Sequence, residues 1–476
     1  FAEYGAVLQD PDICFGCGYC TWVCPYNAPQ LDPVKGHVEK CNMCVDRLEQ
    51  GLKPACAAAC LAGALDFGVI ETTPANRTQL LTQIPGFPDP AITHPNIRFQ
   101  QTQSLPRELT RPDSMPLRYV RDDAGVFRPQ TRAATTERSW NLRKLRSRED
   151  PLVVFTLATQ TAVGAFAALF LGPRLGLDVL APASYPLTHA FLMAALVGLM
   201  VAGLVLSALH LGKPQRFYRG FNNLRYSPVS REAAGIVVFL GLLGGYALLA
   251  AFPPLFAWLP ANVIALARAT CGWGALVTGP LAIHLMVLAY RIPARPFWNH
   301  WQTWTAFFGS TFALGVALVG AVYGAVLVVQ GEALAPLLRA LAWPLVAGIV
   351  LEGVGLVAHA RDLARRGGEG AASHYEQRTA FGKTYLARNA TLAAAGATAS
   401  GLALAGIEGW TGLIGWGLIA AMVAATAFVG RALFYVLVIP TTMPGAFFWR
   451  NRGFQEHARA TGLAHLPQVG VVPDSH

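Results

Sequence analysis

Eight cysteines in the first 60 residues and long apolar runs after residue 150 predict a mixed fold. We expect a small α+β ferredoxin-like 4Fe-4S domain, followed by an all-α polytopic membrane domain of eight transmembrane helices. The composition agrees with a large membrane domain, since 53% of the residues are hydrophobic and only 13% are charged. Average soluble proteins carry roughly a quarter charged residues.

The cysteines form two runs whose spacing is typical of iron–sulfur ligands. The first run is C-x2-C-x2-C-x3-C followed by Pro25, and the second is C-x2-C-x11-C-x3-C. Three closely spaced thiolates bind one cubane, and the fourth binds a neighbouring cluster. The alternative is a zinc ribbon, but that site needs two C-x2-C pairs, so the spacing favours iron. The predicted cluster ligands are Cys14, Cys17, Cys20, Cys24, Cys41, Cys44, Cys56 and Cys60.

Composition divides the chain into four segments. Residues 1–100 form the predicted 4Fe-4S ferredoxin-type domain. Residues 101–150 are rich in proline and arginine without apolar periodicity, and predict an extended basic linker. Residues 151–440 form the eight-helix membrane anchor domain, and residues 441–476 a cytoplasmic tail. The net charge of +10 could suggest a nucleic-acid partner. The cations cluster at membrane borders, however, so we expect contact with membrane lipid and no nucleic acid.

Eight apolar stretches reach the length of about 20 residues that a span requires. Both ends of the membrane domain then lie on the face of the cysteine domain. Loops on this face carry most of the cations, whereas the opposite face has only Arg174, with Arg268 and Arg339 just inside spans. This asymmetry places the cysteine domain and both termini on the cytoplasmic side of the inner (cytoplasmic) membrane. The predicted spans are 151–172, 186–209, 233–258, 262–290, 303–330, 336–360, 389–407 and 411–439.

Ionisable residues within spans are functional candidates, because burying them in lipid is costly. Glu352 and Arg431 lie at similar depths. They form either a mutual ion pair that holds helices together, or part of a proton path or quinone contact. Histidines on several spans could also ligate haem. Only His189 lies towards the far face, so we expect no haem. The histidines near the cysteine-domain face are His210, His284 and His359.

The loop between the second and third spans has the richest chemistry. A helix ends near Gly212, where Pro214 blocks its continuation. His210 therefore lies in the last turn, and Glu232 opens the next span. An imidazole and a carboxylate at the membrane border suit quinol oxidation, because each quinol releases two protons with its two electrons. The alternative is that His210 only hydrogen-bonds the helix end.

These motifs resemble two subunits of one enzyme family. The cysteine domain, with Cys-Phe-Gly-Cys-Gly-Tyr-Cys at 14–20, resembles the second half of the four-cluster electron-transfer subunit of dimethyl sulfoxide reductase. The membrane domain, with Leu-His-Leu-Gly-Lys-Pro-Gln-Arg at 209–216 and Gly-Arg-Ala-Leu-Phe-Tyr at 430–435, resembles its eight-span anchor subunit. The two resemblances cover nearly the whole chain and imply a fusion of both subunits.

The resemblance implies that the chain oxidises menaquinol from the quinone pool without haem. The clusters would pass electrons to a separate catalytic subunit with a molybdenum bis-pterin cofactor, which reduces an S- or N-oxide such as dimethyl sulfoxide. It places His210 in the quinol pocket, with Glu232 and Arg216 as further candidates.

Three alternatives stay open. The same architecture could run in reverse, as a sulfite-, thiosulfate- or polysulfide-type dehydrogenase that delivers electrons to quinone. The chain could also be a cluster-driven ion transporter, or an anchor without a quinone site.

The chain departs from this family in two places. Leu61 follows Cys60 where the family has proline, which is a local change. The family also has four cysteine runs, whereas this chain has two. Because the sequence begins with Phe1 within a domain, we expect a missing N-terminal half, so that two clusters here become four when that half is restored. In the self-contained alternative, Cys60 completes the first cluster and Cys24 the second.

Overall fold

The described part of the chain contains a cysteine-rich domain, a small sheet and a bundle of long helices. The predicted tail lies outside it, apart from Thr441. The computed structural model describes residues 7–63, 65–68, 87–94, 106–110, 116–125, 127–132, 135–439 and 441.

The cysteine-rich domain combines short helices with one antiparallel hairpin, which confirms the predicted α+β class. Leu31 pairs with Val38 in the centre of the hairpin, and Val38 is buried. The elements are short because the cysteine loops and their glycines interrupt regular structure. The domain contains α1 (Tyr19–Val23), β1 (Gln30–Asp32), β2 (His37–Glu39), α2 (Val45–Leu48), α3 (Ala55–Ala58) and α4 (Pro90–Thr93).

Within the predicted extended linker, the described residues form a three-stranded antiparallel sheet. Leu117 and Tyr119 alternate with more exposed residues and pack against Ala372 and Ile439. This period of two is the pattern of a half-buried strand, but it covers too few residues to stand out among the arginines and prolines. The strands are β3 (Glu108–Thr110), β4 (Leu117–Arg121) and β5 (Phe127–Thr131).

Seven of the bundle helices are long and apolar enough to cross a membrane. The stretch predicted as the seventh of eight spans does form a helix, but it is not among those seven. This helix is rich in alanine and glycine and has Lys383 and Arg388 in its first two turns, so the eighth crossing stays a prediction. The bundle contains α5 (Asp150–Leu171), α6 (Pro186–Leu209), α7 (Pro228–Ala251), α8 (Ala261–Tyr290), α9 (Gln302–Gln330), α10 (Ala335–Arg366), α11 (Gly368–Arg378), α12 (Gly382–Ala405) and α13 (Gly409–Val436).

Helix α9 lies at the centre of the bundle and packs against α5, α10 and α13. Its approach to α5 is so close that a Cβ at Gly164 would lie 1.9 Å from the carbonyl oxygen of Thr311. A Cβ at Gly309 would lie 2.6 Å from the carbonyl oxygen of Gly348 on α10. Small residues permit such approaches between membrane helices, and they bring the polar side chains of these helices into one core.

The first cysteine loop lies directly on the loop that follows α6. Gly212 donates its backbone N–H to the carbonyl oxygen of Gly16 at 3.1 Å, and Lys213 donates to that of Phe15 at 3.1 Å. A Cβ at Gly212 would lie 2.3 Å from the carbonyl oxygen of Gly36. Two backbones therefore meet without side chains between them, and the cysteine domain is fixed to the bundle at this point.

This contact predicts that Gly212→Ala weakens the attachment of the cysteine domain. The added methyl must displace backbone, which costs about 1–3 kcal/mol. We expect a lower melting temperature of the full-length protein and faster tryptic release of the cysteine domain. Gly220→Ala is the matched control, since a Cβ at Gly220 meets no atom within 4 Å. Equal behaviour of the two variants would show that the contact does not hold the domain.

Candidate functional site

The first cysteine run brings three thiols to one place. Gly16 and Gly18 adopt left-handed conformations, with φ of 71° and 74°, and α1 begins directly after Gly18. Burial raises the pKa of Cys20 to about 12, and the nearby negative charges of Cys17 and Cys14 contribute to the increase. Burial and Cys14 likewise raise the pKa of Cys17. The three thiols are therefore close enough to repel one another as anions. Bound iron would reduce this repulsion between the thiolates.

The second run also fits cluster ligation. Met43 and Cys44 both have positive φ, so the chain turns sharply after Cys41. The backbone N–H of Met43 lies 3.4 Å from the Cys41 sulfur and donates to it. Hydrogen bonds to sulfur are among the features that tune iron–sulfur clusters. In the described part of the chain, no three His, Cys, Asp or Glu side chains are close enough to hold a single metal ion. The thiolates of a cubane each bind a different iron, so they need not be that close.

Helix α1 is held against the bundle by both of its ends. The Tyr19 hydroxyl donates to the carbonyl oxygen of Ala289, at the end of α8, at 3.0 Å. The buried Arg295 side chain donates to the carbonyl oxygens of Thr21 and Trp22, each at 3.0 Å. The helix that carries Cys20 is thus fixed to the membrane domain, in part by charge-assisted hydrogen bonds.

His210 lies at the C-cap of α6, two residues before the contact with Gly16. Its Nδ1 donates to the carbonyl oxygen of Ser207 at 2.5 Å, so the expected bond to the helix end is present. This bond uses one ring nitrogen and leaves the lone pair of Nε2 in the neutral ring. Burial lowers the pKa of His210, and the Arg148 cation acts in the same direction, although the Ser207 bond opposes them. The ring is therefore neutral at pH 7 and can accept a proton.

Glu232 is buried in the second turn of α7 and lies near the cysteine domain. Its carboxylate makes no hydrogen bond or ion pair with any residue that the structure describes. Burial, together with the charges of Glu232 and Cys17, raises the pKa of Tyr19 to about 12. Tyr19 thus lies between the Glu232 carboxylate and the first cysteine run. Glu232 and His210 approach that run from two separate elements, and the described residues show no direct contact between them.

Arg216, the third residue predicted for the quinol site, contacts the cysteine domain. Its guanidinium donates to the carbonyl oxygens of Pro11 and Asp12, at 3.1 and 2.7 Å. Arg219 donates to the Asp12 carbonyl as well. Both arginines hold the segment before Cys14, and the place of Arg216 in the quinol site stays a prediction.

The expected mutual pair of Glu352 and Arg431 is replaced by another pair. Glu352 on α10 forms a buried salt bridge with Arg388 on α12. Arg431 lies 3.5 Å above the ring of Phe307 and donates to Gln160 at 3.2 Å. Arg388 lies in the second turn of α12 and faces α10.

Both the cysteine domain and the membrane domain match known protein families. Residues 2–70 match the 4Fe-4S dicluster domain family, and residues 146–437 match the DMSO reductase anchor subunit family. The second match covers more than half of the sequence. This protein belongs to the DMSO reductase anchor subunit family. The predicted fusion of an iron–sulfur domain with a membrane anchor is thereby confirmed, and this member of the anchor family is a multi-pass membrane protein.

Its cysteine domain is similar to subunits of several oxidoreductases. One relative, from the anaerobic dimethyl sulfoxide reductase of Escherichia coli, is 44% identical over 95 residues, which are 20% of this chain and 46% of that protein. Another, from the Haemophilus influenzae reductase, is 45% identical over 95 residues, 20% of this chain and 45% of that protein. A third, from the sulfite dehydrogenase of Allochromatium vinosum, is 35% identical over 125 residues, 24% of this chain and 52% of that protein. The chain spans about half the length of these relatives.

Sequence reasoning missed two residues of this site. Tyr19 stands between two predicted ligands, but nothing in the spacing shows that it reaches α8. Arg295 lies in an Arg-Pro-Phe-Trp stretch at 295–298, to which the sequence alone gives no physical role. The position of Arg295, in a short loop on the face of the cysteine domain, was the available signal that it contacts this domain.

The converging thiols predict that Cys17→Ser loses one cluster from the purified protein. Iron should fall by about four atoms per chain, with a matching loss of visible absorbance. The control is Cys271→Ser on α8, the ninth cysteine, which should keep its iron. Unchanged iron in Cys17→Ser, or zinc in place of iron in the unmodified protein, would contradict the assignment.

Proposed function

We propose that the chain is the electron-transfer and membrane-anchor subunit of a molybdopterin oxidoreductase complex. It oxidises menaquinol near His210 and Glu232, and its 4Fe-4S clusters serve a separate molybdenum bis-pterin subunit that reduces an S- or N-oxide such as dimethyl sulfoxide. The observation that carries this proposal is the backbone contact between the first cysteine run and Gly212. It puts the cluster ligands next to a loop that combines a neutral imidazole with a nearby buried carboxylate.

Each quinol that is oxidised to quinone gives up two electrons and two protons. The Nε2 of neutral His210 accepts one proton, while its Nδ1 remains bonded to Ser207 and fixes the ring. Glu232 is buried close to this loop, and its carboxyl group is the candidate to relay the other proton to the aqueous face. The cysteines hold the clusters, whose chemistry is to accept and release single electrons.

The exposed cysteines support docking of a partner on the cysteine domain. Cys20, Cys41 and Cys56 are exposed, and the other five predicted ligands are partly buried. We propose that the two runs contribute to two clusters here, and to four together with an upstream half. We propose that this domain and both termini lie in the cytoplasm, and the cation-rich loops support this through the positive-inside rule.

A second candidate reverses the electron flow. The similarity to a subunit of sulfite dehydrogenase favours it, and the same residues would then donate protons to quinone. Purification of the complex from native membranes separates the two candidates. Oxidation of a menaquinol analogue with dimethyl sulfoxide supports the first, and reduction of a menaquinone analogue with sulfite supports the second.

The proposed site predicts that His210→Ala slows quinol oxidation by about 10²-fold, the lower range for loss of a positioned proton acceptor. The rate is measured with a menaquinol analogue and an artificial acceptor, on protein with normal iron content. His284→Ala is the control, since His284 packs against Trp304 away from the cysteine run. A His210→Ala protein that oxidises quinol at the control rate would overturn the site.

The pH profile provides a second readout of the same variant. Burial lowers the pKa of His210, so the reactive neutral form already predominates below its ordinary value of about 6.5. The rate of the unmodified protein should rise with pH and level off before neutrality. Initial rates from about pH 5 to about pH 8 measure this rise. In His210→Ala the rise of the rate with pH should vanish. If the rise persists in that variant, another group causes it.

A further inference from the structure

A cavity lies between α9, α10, α12 and α13, near the helix ends that face the cysteine domain. It is outside the site proposed above. The cavity has a volume of about 50 Å³, which is room for a small group. One part of its wall is aromatic and the other is charged. The lining residues that matter here are Phe297, Glu352, His359, Arg388, Ala427 and Arg431. Such a combination of apolar wall and few polar groups is typical of ligand sites.

The cavity carries more positive than negative charge. Arg388 and Arg431 are both buried, and Glu352 is the carboxylate that lines the cavity with them. Glu352 is within ion-pair distance of Arg388, and among the described residues no carboxylate is within that distance of Arg431. The ring of Phe307 and the amide of Gln160 provide Arg431 with weaker partners. A buried cation without its own counter-ion is costly, so the charge balance points to a bound anion.

Hydrogen-bonding capacity at the cavity is also unused. The Nε2 atom of His359 is buried and has no hydrogen-bond partner among the described residues, and the residue is only 4% exposed. The Nε2 atom of Gln160, behind Arg431, is likewise buried and without a partner in the described part of the chain. Buried polar atoms are almost always hydrogen-bonded. The other ring nitrogen of His359 donates to the Phe297 carbonyl, so Nε2 is an acceptor. A ligand whose oxygens accept from the guanidinium and whose hydroxyl group donates to the imidazole would satisfy both.

The depth of the cavity matches the head-group region of a bilayer. Arg431 lies five residues before Val436, the end of α13, and Arg388 lies six residues after Gly382, the start of α12. At 1.5 Å per residue, both are about 8–9 Å from the helix ends. Basic pockets between helices at this depth and on the cytoplasmic side bind phosphate-bearing head groups.

We propose that this cavity binds a phosphate group, supplied by an anionic phospholipid head group or by free phosphate. Arg431 provides the positive charge, and its N–H groups donate to the phosphate oxygens. A neutral quinone would leave the charge of Arg431 uncompensated. The bound phosphate would join α10 to α13 at the end of the bundle that faces the cysteine domain.

The test is phosphorus analysis and native mass spectrometry of the full-length protein after exhaustive detergent exchange. The unmodified protein should retain one phosphate-bearing molecule. Arg431→Gln removes the charge but can still hydrogen-bond Gln160, and should weaken retention about tenfold or more. Arg339→Gln is the matched control, because that guanidinium bonds the Ala403 carbonyl at the opposite end of α10. Its retention should equal that of the unmodified protein.

A second variant keeps the proposal testable if Arg431→Gln does not fold. Ala427→Phe fills the cavity without changing its charge, and should abolish retention while iron content stays normal. Extraction into organic solvent identifies a phospholipid. A rise in melting temperature on adding inorganic phosphate to the delipidated protein identifies the free ion. The proposal is overturned if the unmodified protein neither retains phosphorus nor responds to phosphate, if both variants retain as much as the control, or if a quinone is retained instead.

Discussion

The structure depends on the close approach of two backbones, where Gly16 and Gly36 of the cysteine domain meet Gly212 of the membrane domain. A Cβ at Gly36 would lie 2.2 Å from the carbonyl oxygen of Gly212, and one at Gly16 would lie 2.4 Å from the carbonyl oxygen of Gly36. No side chain fits among these atoms. Backbone hydrogen bonds donated by Gly212 and Lys213 stabilise the contact. The first cysteine loop and the His210 loop therefore form one continuous piece of structure.

The arginines at the membrane border reinforce this contact. Arg216, Arg219 and Arg295 all donate to backbone carbonyls of the cysteine domain. Charge-assisted bonds of this kind are stronger than neutral ones. The cation excess that predicts membrane orientation therefore has a second use, since the same side chains hold the soluble domain. A count of charges cannot distinguish the two uses, because both need cations on the same face.

The sequence predicted the chemistry of the site better than its geometry. Ligand spacing is local, so the cysteines could be assigned from a few consecutive residues, and a proline after Gly212 was enough to place His210 at a helix end. The partner of Glu352 could not be assigned, because Arg388 and Arg431 lie 36 and 79 residues further along the chain and only the packing of α12 on α10 selects between them. The direction of the Arg216 side chain could not be assigned for a related reason. A long, flexible side chain close to His210 can point towards the membrane or towards the cysteine domain, and the sequence does not distinguish these directions.

The proposed site would separate the routes for protons and electrons. His210 and Glu232 lie on different elements, at the end of α6 and in the second turn of α7. The first cysteine loop contacts the residues just after His210, and Tyr19 is close to both Glu232 and Cys17. A quinol held here would meet a proton acceptor on each element and the cysteine run between them. This geometry does not determine the direction of electron flow. An imidazole that accepts a proton from quinol can return that proton to quinone at similar pH. In this arrangement, the relative potentials of the quinone and of the partner subunit's substrate decide which way the electrons move.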